Sequence, residues 1–188
     1  MLVVAEYNRM RALEYARRWA MARNPLFYNF TGIGGDCTNF VSQSVLAGSC
    51  VMNFTPDFGW YYRTSEDRAP AWTGVEYFWE FMTGAGEFRA ANGGTGPFGR
   101  AVSEGEVAEG DVVQLGDAEG DYYHTLLITG RGAQGLLVSA HSNDAYNRPL
   151  ARYDAPLKRF LHIEGVRFDV QRADCFGNLI NGIALPVT

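Results

Sequence analysis

The chain has 188 residues, of which 16 are basic and 21 acidic, so its formal charge at neutral pH is −5. A mildly acidic chain without a basic run is poorly suited to nucleic acid or an anionic membrane, and no apolar run approaches the ~20 residues that cross a bilayer. The length suits a single domain, 1–188, that buries its own core. We therefore expect neither a nucleic-acid nor a membrane partner, and the oligomeric state stays open.

The first predicted element is a helix over residues 5–23, where apolar side chains recur at helical spacing. Pro25 ends it, because the residue before a proline resists helical geometry. A second helix starts at a glycine turn and includes Cys37, with Gly48 as its expected stop. The chain therefore begins with two helices joined by an aromatic loop.

The segment 34–43 reads Gly-Gly-Asp-Cys-Thr-Asn-Phe-Val-Ser-Gln and places Cys37 in the first turn of the second helix. Unpaired backbone N–H groups and the positive end of the helix dipole lie there, and both favour the thiolate, which is the nucleophilic form. The alternative is a cysteine that packs as a small apolar residue. The preceding glycines and the polar Thr38 and Asn39 favour the nucleophile.

The other two cysteines, Cys50 and Cys175, lack such surroundings, and we expect them to pack. An odd number of cysteines argues against a disulfide framework. The apolar start, residues 1–5, is too short for the core of a signal peptide. These features predict a cytoplasmic chain, although a chain trimmed of a leader and acting outside the cell or at the cell wall would read the same.

Residues 51–99 are rich in tryptophan, tyrosine, phenylalanine and glycine. We interpret them as an insertion with long loops and one helix over residues 75–82. Its aromatic side chains either cover the core or line a ligand groove, and core cover is the favoured role.

From residue 110 the pattern becomes that of short apolar strands, predicted at 111–115, 122–129, 136–141, 157–163 and 166–170. The linker 130–135 is short enough for a hairpin. Because helices come first and strands follow without alternation, the predicted fold class is α+β with an antiparallel sheet.

Two histidines lie on the predicted hairpin. His124 is near the start of one strand and His141 at the end of its partner, so a hairpin at 130–135 brings them close to opposite each other. The register is not determined by the sequence. We expect His124 to act as the base for Cys37 and His141 to orient it, with Asn143 next on the same face and Asp144 as a further alternative.

His162 has no polar residues beside it in the sequence and is interpreted as structural. Asp36 either caps the Cys37 helix or would oppose a thiolate, so we expect its carboxylate to point away from the sulfur. The backbone N–H of Cys37 is one expected oxyanion donor, and Tyr28, Asn29 and Thr38 are candidates for the second.

The Cys37 segment resembles the nucleophile motif of the bacterial putative amidase domain family, a branch of the papain-like superfamily that includes the NlpC-type and CHAP hydrolases. The resemblance covers about residues 5–163, and its most specific parts are the Cys37 and Tyr123-His124-Thr125 motifs. It extends through residues 7–24, 51–53, 59–62, 72–74, 110–115, 140–142 and 159–163. Residues 164–188 fall outside it and form a C-terminal extension.

The resemblance implies a papain-like fold in which N-terminal helices pack on a small antiparallel sheet that carries the histidine. It implies hydrolysis of an amide or peptide substrate, with cell-wall peptides as one substrate class. Related hydrolases place the third polar residue on the strand after the histidine, which matches His141 best and Asn143 next. No cofactor is implied.

Three other interpretations stay open. The chain could be a catalytically silent peptide-binding module of the same fold, or an acyltransferase that uses the same thioester chemistry. A metal site from Cys37, His124 and His141 is disfavoured, because the sequence has no tight ligand pair such as C-x-x-C.

Overall fold

The computed structural model describes residues 1–169 and 173–185. It is an α+β structure, as predicted, with helices packed on an antiparallel sheet. The helices are α1 (Arg9–Trp19), α2 (Asp36–Ser49), α3 (Pro70–Thr73), α4 (Val75–Thr83), α5 (Arg89–Asn92) and α6 (Phe176–Ile180). The strands are β1 (Val3–Ala5), β2 (Gly96–Val102), β3 (Val112–Gly116), β4 (Tyr122–Gly132), β5 (Gly135–Ala140), β6 (Ala145–Pro149) and β7 (Leu157–Phe168).

The described strands form one sheet in the order β1-β7-β3-β4-β5-β6, and all the pairs are antiparallel. Strand β2 pairs with β7 along the edge opposite to β3 and β1. The two predicted strands at 157–163 and 166–170 are one long strand, β7, and Val170 lies outside the described residues. Strands β1, β2 and β6 were not predicted, because they are short or carry polar residues.

Helix α2 is buried over its whole length, so it is the central helix of the fold. Its N-cap, Gly35, has φ 91°, a left-handed conformation that glycine adopts without strain. Gly48 was expected to end the helix but lies inside it, against the Tyr7 ring, where a Cβ atom would come within 2.3 Å of that ring. The left-handed C-cap is Cys50, with φ 50°.

The aromatic segment 51–99 packs against α2, as the favoured interpretation predicted. Trp60 and Trp72 are fully buried, and their indole nitrogens donate hydrogen bonds to Ser42 Oγ and Asn39 Oδ1 of α2, both at 3.0 Å. The predicted helix over 75–82 is confirmed as α4. This segment therefore packs on α2 through its tryptophans and on the sheet through α4.

The sheet has apolar side chains on both faces. The face toward α2 contributes Val112, Leu127 and Leu161 to the main core. The alternate residues, such as Leu126 and Ile128, form a second cluster with Leu150 and Val107. The period of two along a strand decides which side chains can reach α2.

A disulfide joins Cys50 to Cys175, so the prediction that these cysteines only pack is wrong. The odd number of cysteines did not indicate this bond, because two of the three are paired and the third, Cys37, is free. The bond fastens the segment around α6 to the end of α2, and Trp19 Nε1 donates to the Ile180 carbonyl at 2.9 Å. Within the described residues, no helix is long and apolar enough to cross a membrane.

Candidate active site

The sulfur of Cys37 lies in the first turn of α2, as the sequence predicted. The side chain is only 6% exposed. The backbone N–H groups of Thr125 and Thr38 both point to the sulfur, and the Thr38 Oγ1 lies 3.8 Å from it. Because the Thr125 N–H belongs to the peptide that follows His124, the predicted nucleophile and the start of β4 come together.

Burial raises the pKa of the Cys37 thiol above its ordinary value of 9.0, even though hydrogen bonds from Thr125 and Thr38 act in the opposite direction. The negative charge of Asp36 adds to the increase. The prediction that this position favours the thiolate is therefore wrong for the free protein. The helix terminus and its N–H groups are present, but desolvation of the sulfur outweighs them.

His124 lies at the start of β4, and its ring is 6.1 Å from the Tyr153 ring, on the sheet face of the second apolar cluster and not on the face toward α2. Burial lowers the pKa of His124 to about 4, and the positive charge of Arg148 acts in the same direction. The imidazole is therefore neutral at pH 7. Neither of its ring nitrogens has a hydrogen-bond partner among the described residues, the Cys37 sulfur included.

His124 and His141 do not face each other, contrary to the prediction. The hairpin turn is shorter than expected, Ala133–Gln134, and the β4–β5 register pairs Leu127 with Ser139. Counting on by two residues places His141 beside Thr125, whereas His124 belongs to the alternate face. A register difference of one residue moves a side chain to the other face of a sheet.

His141 instead binds the segment before Cys37. It is 1% exposed, with Nδ1 3.0 Å from Asp36 Oδ2 and Nε2 2.9 Å from the Trp19 carbonyl oxygen. Its ring stacks on Phe40 with the centroids 4.3 Å apart. Both ring nitrogens are therefore engaged by acceptors of the loop and helix that precede Cys37.

Asp36 is the centre of a buried ionic network and does not cap α2. It accepts hydrogen bonds from the Phe30 N–H, at 3.0 Å, and from Asn39 Nδ2, at 3.1 Å, and Arg23 Nε lies 3.1 Å from its second oxygen. Burial alone would raise the pKa of Asp36, but the hydrogen bonds from His141, Phe30 and Asn39 outweigh it and lower the pKa to about 2. The carboxylate thus holds the loop that leads into Cys37.

The other two candidates for the third polar residue lie in the turn after β5. Asn143 is exposed, with φ 69°, and Asp144 is bonded through both oxygens to the Arg23 guanidinium at 2.9 Å. Neither Asn143 nor Asp144 has a contact with His124 among the described residues. The structure therefore brings Cys37 and the His124 peptide together and leaves His141, Asn143 and Asp144 on the Asp36 side.

Of the three candidates for the second oxyanion donor, Thr38 lies at the sulfur. The backbone of Tyr28 is engaged at both ends, because its N–H donates to Tyr62 Oη and its carbonyl accepts from Asn39 Nδ2. The side-chain oxygen of Asn29 accepts from the Thr31 N–H. Thr38 is the candidate nearest to the reacting atom, but its N–H and its hydroxyl are both turned to the sulfur itself.

His162 is not isolated from polar groups, contrary to what its sequence neighbours indicated. Its Nδ1 lies 2.7 Å from Asp111 Oδ2, and Arg9 Nη1 lies 2.6 Å from the other oxygen of that buried carboxylate. This cluster fastens α1 to β7. The structural role that we expected for His162 agrees with that position, and the polar partners come from distant parts of the chain.

Sequence reasoning did not identify a buried polar row under the sulfur, formed by Thr38, Gln114 and Thr125, each 0% exposed. A signal was present: Gln114 and Thr125 are polar residues inside otherwise apolar strands. Neither residue type is a usual nucleophile or base, so the pattern does not by itself indicate a site.

Comparison with known proteins gives one matching family model, described as a putative amidase domain, over residues 6–163. Among curated proteins, the chain is 30% identical over 149 residues to the uncharacterized protein YhbB of Bacillus subtilis, an alignment that covers 76% of this chain and 44% of the relative. It is 28% identical over 156 residues to the uncharacterized protein YjcM of the same organism, covering 78% of this chain and 33% of the relative. The chain thus spans less than half the length of either relative. No solved structure matches it significantly.

Proposed function

Because this chain belongs to the putative amidase domain family, we propose that it is a cysteine-dependent hydrolase that cleaves an amide or peptide bond. The observation that carries the proposal is the position of Cys37. Its sulfur lies in the first turn of a buried helix, against the peptide that joins His124 to Thr125. A papain-like hydrolase needs this arrangement of sulfur, helix terminus and histidine strand.

In the proposed reaction, the His124 ring turns from the Tyr153 side of the sheet toward the sulfur and takes the thiol proton as the Cys37 sulfur attacks the carbonyl carbon of the substrate. The carbonyl oxygen gains the negative charge, and the backbone N–H of Cys37 stabilises it. His124 then gives its proton to the leaving amine, and a thioester remains on Cys37. Water, deprotonated by His124, hydrolyses the thioester and restores the thiol.

The charge states support a general-base mechanism over a preformed ion pair. The thiol pKa is raised and the imidazole pKa is lowered to about 4, so both groups are neutral in the free protein. The proton leaves the sulfur only as the new bond forms. His124 is available for this step because its imidazole is unprotonated at neutral pH.

We propose that His141 acts as a positioning residue and not as the partner of His124. It is bonded to Asp36 and to the Trp19 carbonyl, and so it ties the loop before Cys37 to the end of β5. Asn143, exposed in the adjacent turn, is the remaining candidate to contact a bound substrate from this side. The proposed catalytic pair is therefore Cys37 and His124.

The proposed substrate is a peptide, and a cell-wall peptide is the class that the superfamily suggests. The disulfide between Cys50 and Cys175 favours an oxidising compartment, since such bonds persist outside the cytoplasm. We therefore propose an extracytoplasmic site of action in place of the cytoplasmic one that the sequence suggested.

A catalytically silent peptide-binding module is the second candidate, and the low exposure of Cys37, 6%, favours it. An acyltransferase would use the same thioester with an amine in place of water as acceptor. A silent binding module would show no turnover. An acyltransferase would show turnover, but its product would be an acylated amine and not a free acid.

The test is release of free amines from a mixture of synthetic peptides and cell-wall peptides by the wild-type chain and by Cys37→Ala and His124→Ala. The proposal expects turnover by the wild type and none by either variant. Both variants should still unfold cooperatively on heating, which shows that they are folded. Binding of the same peptides without cleavage would establish the silent module. Equal turnover by Cys37→Ala would refute a cysteine mechanism.

A further inference from the structure

A row of side chains crosses three neighbouring strands on the face toward α2. Gln114 of β3 is paired directly with Arg159 of β7 on one side and with Thr125 of β4 on the other. The next polar atom is the Thr38 hydroxyl of α2, and beyond it lies the Cys37 sulfur. The row therefore runs from a cation at the edge of the fold to the proposed nucleophile.

The cation at the start of the row is firmly held. The Arg159 side chain is 17% exposed, and its Nη2 donates to Glu76 Oε2 at 2.9 Å. Its guanidinium carbon lies 4.3 Å from the Trp79 ring centroid and 3.8 Å from that of Tyr122. A guanidinium only donates hydrogen bonds, so whatever faces its Nε must accept.

This requirement sets the direction of each later bond. Arg159 Nε donates to Gln114 Oε1 at 2.8 Å, which turns the Gln114 amide nitrogen toward Thr125. That nitrogen donates to the Val75 carbonyl at 2.8 Å and to Thr125 Oγ1 at 3.1 Å. The Thr125 hydroxyl thus accepts one hydrogen bond, and its own proton is available to donate another.

Thr38 Oγ1, 2.9 Å away, is the acceptor for that proton, because the buried Thr125 hydroxyl meets no other acceptor among residues 1–169 and 173–185. The Thr38 hydroxyl then has one proton left. Its remaining neighbour within the described part of the chain is the Cys37 sulfur, at 3.8 Å. A donor aimed at the sulfur stabilises a thiolate more than a thiol.

We propose that Arg159, Gln114, Thr125 and Thr38 form a one-way hydrogen-bond relay that directs the Thr38 hydroxyl proton to the Cys37 sulfur and stabilises the thiolate as it forms. Thr38, Thr125 and Gln114 are thus positioning residues for the reaction. The inference rests on the proposed role of Cys37 as nucleophile.

Other charged or titratable groups near the sulfur must stay constant in the test. Asp36, the residue before Cys37, opposes the thiolate, and it is paired with Arg23 and with His141, the residue that follows β5. His124 lies at the start of β4, beside the Thr125 N–H. The variants below leave all four of these groups in place.

The test is the pH dependence of Cys37 alkylation by iodoacetamide in native protein prepared without reductant, where the disulfide protects the other cysteines. Thr38→Val keeps the size of the side chain and removes the hydroxyl. We expect its alkylation midpoint to move up by about one pKa unit, a tenfold loss of thiolate at fixed pH. Thr38→Ser keeps the hydroxyl and should retain the wild-type midpoint.

Gln114→Glu tests the direction of the relay. A carboxylate still accepts from Arg159 but cannot donate to Thr125, so both threonine hydroxyls reverse and the Thr38 proton leaves the sulfur. The midpoint should rise, and the shift in the Thr38→Val/Gln114→Glu double variant should be smaller than the sum of the single shifts. The direct effect of the added charge persists in the double variant, so it cannot mimic this result.

An unchanged midpoint in Thr38→Val, an equal shift in Thr38→Ser, or additive shifts in the double variant would overturn the relay. Thermal unfolding confirms that each variant is folded. Alkylation needs no substrate, so the relay can fail while Cys37→Ala still abolishes turnover. If the midpoints shift as expected but Cys37→Ala retains turnover, the hydrolase proposal is refuted and the relay stands.

Discussion

The charge state of Cys37 is decided by a competition at a single sulfur atom. A helix N-terminus stabilises a nearby negative charge by about 0.3–2 kcal/mol. Full burial can shift a pKa by about 3–5 units, which corresponds to about 4–7 kcal/mol. Because Cys37 is 6% exposed, burial dominates, and the sequence motif alone pointed the wrong way.

A first prediction concerns the reactivity of this thiol. We expect the rate of Cys37 alkylation by iodoacetamide to be low at neutral pH and to rise with pH above 9.0, the ordinary pKa of the thiol. Peptide mapping of protein labelled between pH 6 and pH 10.5 measures it, with Cys37→Ala as the unlabelled control. Full labelling at mildly acidic pH would contradict the raised pKa.

A second prediction concerns His124, whose pKa is lowered to about 4 by burial first and by the Arg148 charge second. Activity that uses the neutral imidazole should persist down to about pH 4 and fall below it. Arg148→Gln removes one of the two causes, so the pKa of His124 should rise part of the way to 6.5 and the acid limb should move to higher pH.

An NMR titration of the His124 ring measures this pKa without a substrate. Arg152→Gln is the matched control, because Arg152 is an exposed arginine of the neighbouring short 3-10 helix and is not among the causes of the His124 shift. An unchanged His124 titration in Arg148→Gln, or an equal change in the control, would show that Arg148 does not act on the imidazole.

At the scale of elements, the elements themselves were predictable and their register was not. The helix at Cys37 and the strands at His124 and His141 follow from hydrophobic periodicity. The relative position of the two histidines depends on one residue of register and on a bulge between Ile128 and Gly130. No local pattern encodes that bulge, so the pairing of His141 with Asp36 could not be foreseen.

A third prediction concerns the network that joins the loop before α2 to β5. The pKa of Asp36 is about 2 in the folded protein against 3.8 ordinarily, so its ionised form stabilises the fold. This contribution, about 2 kcal/mol, is complete above about pH 5 and is lost as the pH falls toward 2. In Asp36→Asn the free energy of unfolding should be lower at pH 6 and should vary less between pH 5 and pH 2.

Denaturant unfolding at a series of pH values measures this slope. Asp154→Asn is the control, since Asp154 is exposed. A wild-type pH slope in Asp36→Asn would mean that the network does not depend on the carboxylate.

At the scale of the whole molecule, a disulfide closes the chain on itself. Cys50 and Cys175 are 125 residues apart in sequence, and their bond holds the α6 segment against α1 and α2. The composition did not reveal it, because pairing depends on three-dimensional proximity and the count of three cysteines is odd. The helices-then-sheet order, in contrast, was sufficient to predict the α+β class.

A fourth prediction follows from that closure. A loop of this length restricts the unfolded chain, so loss of the disulfide should lower stability by up to about 5 kcal/mol, or about 10–20 °C in the midpoint of thermal unfolding. Thermal unfolding of the oxidised protein, the reduced protein and the Cys50→Ser/Cys175→Ser variant measures it. The last two should agree, and an unchanged midpoint in both would contradict a structural role for the bond.

The central claim is that the Cys37 sulfur forms a covalent bond with the acyl part of an amide substrate. Mass spectrometry of protein quenched in acid during turnover of the peptide mixture tests it most directly. The account predicts an acyl adduct on the proteolytic fragment that contains Cys37, absent in Cys37→Ala. Continued peptide cleavage by Cys37→Ala, with no adduct on the wild-type sulfur, would contradict it.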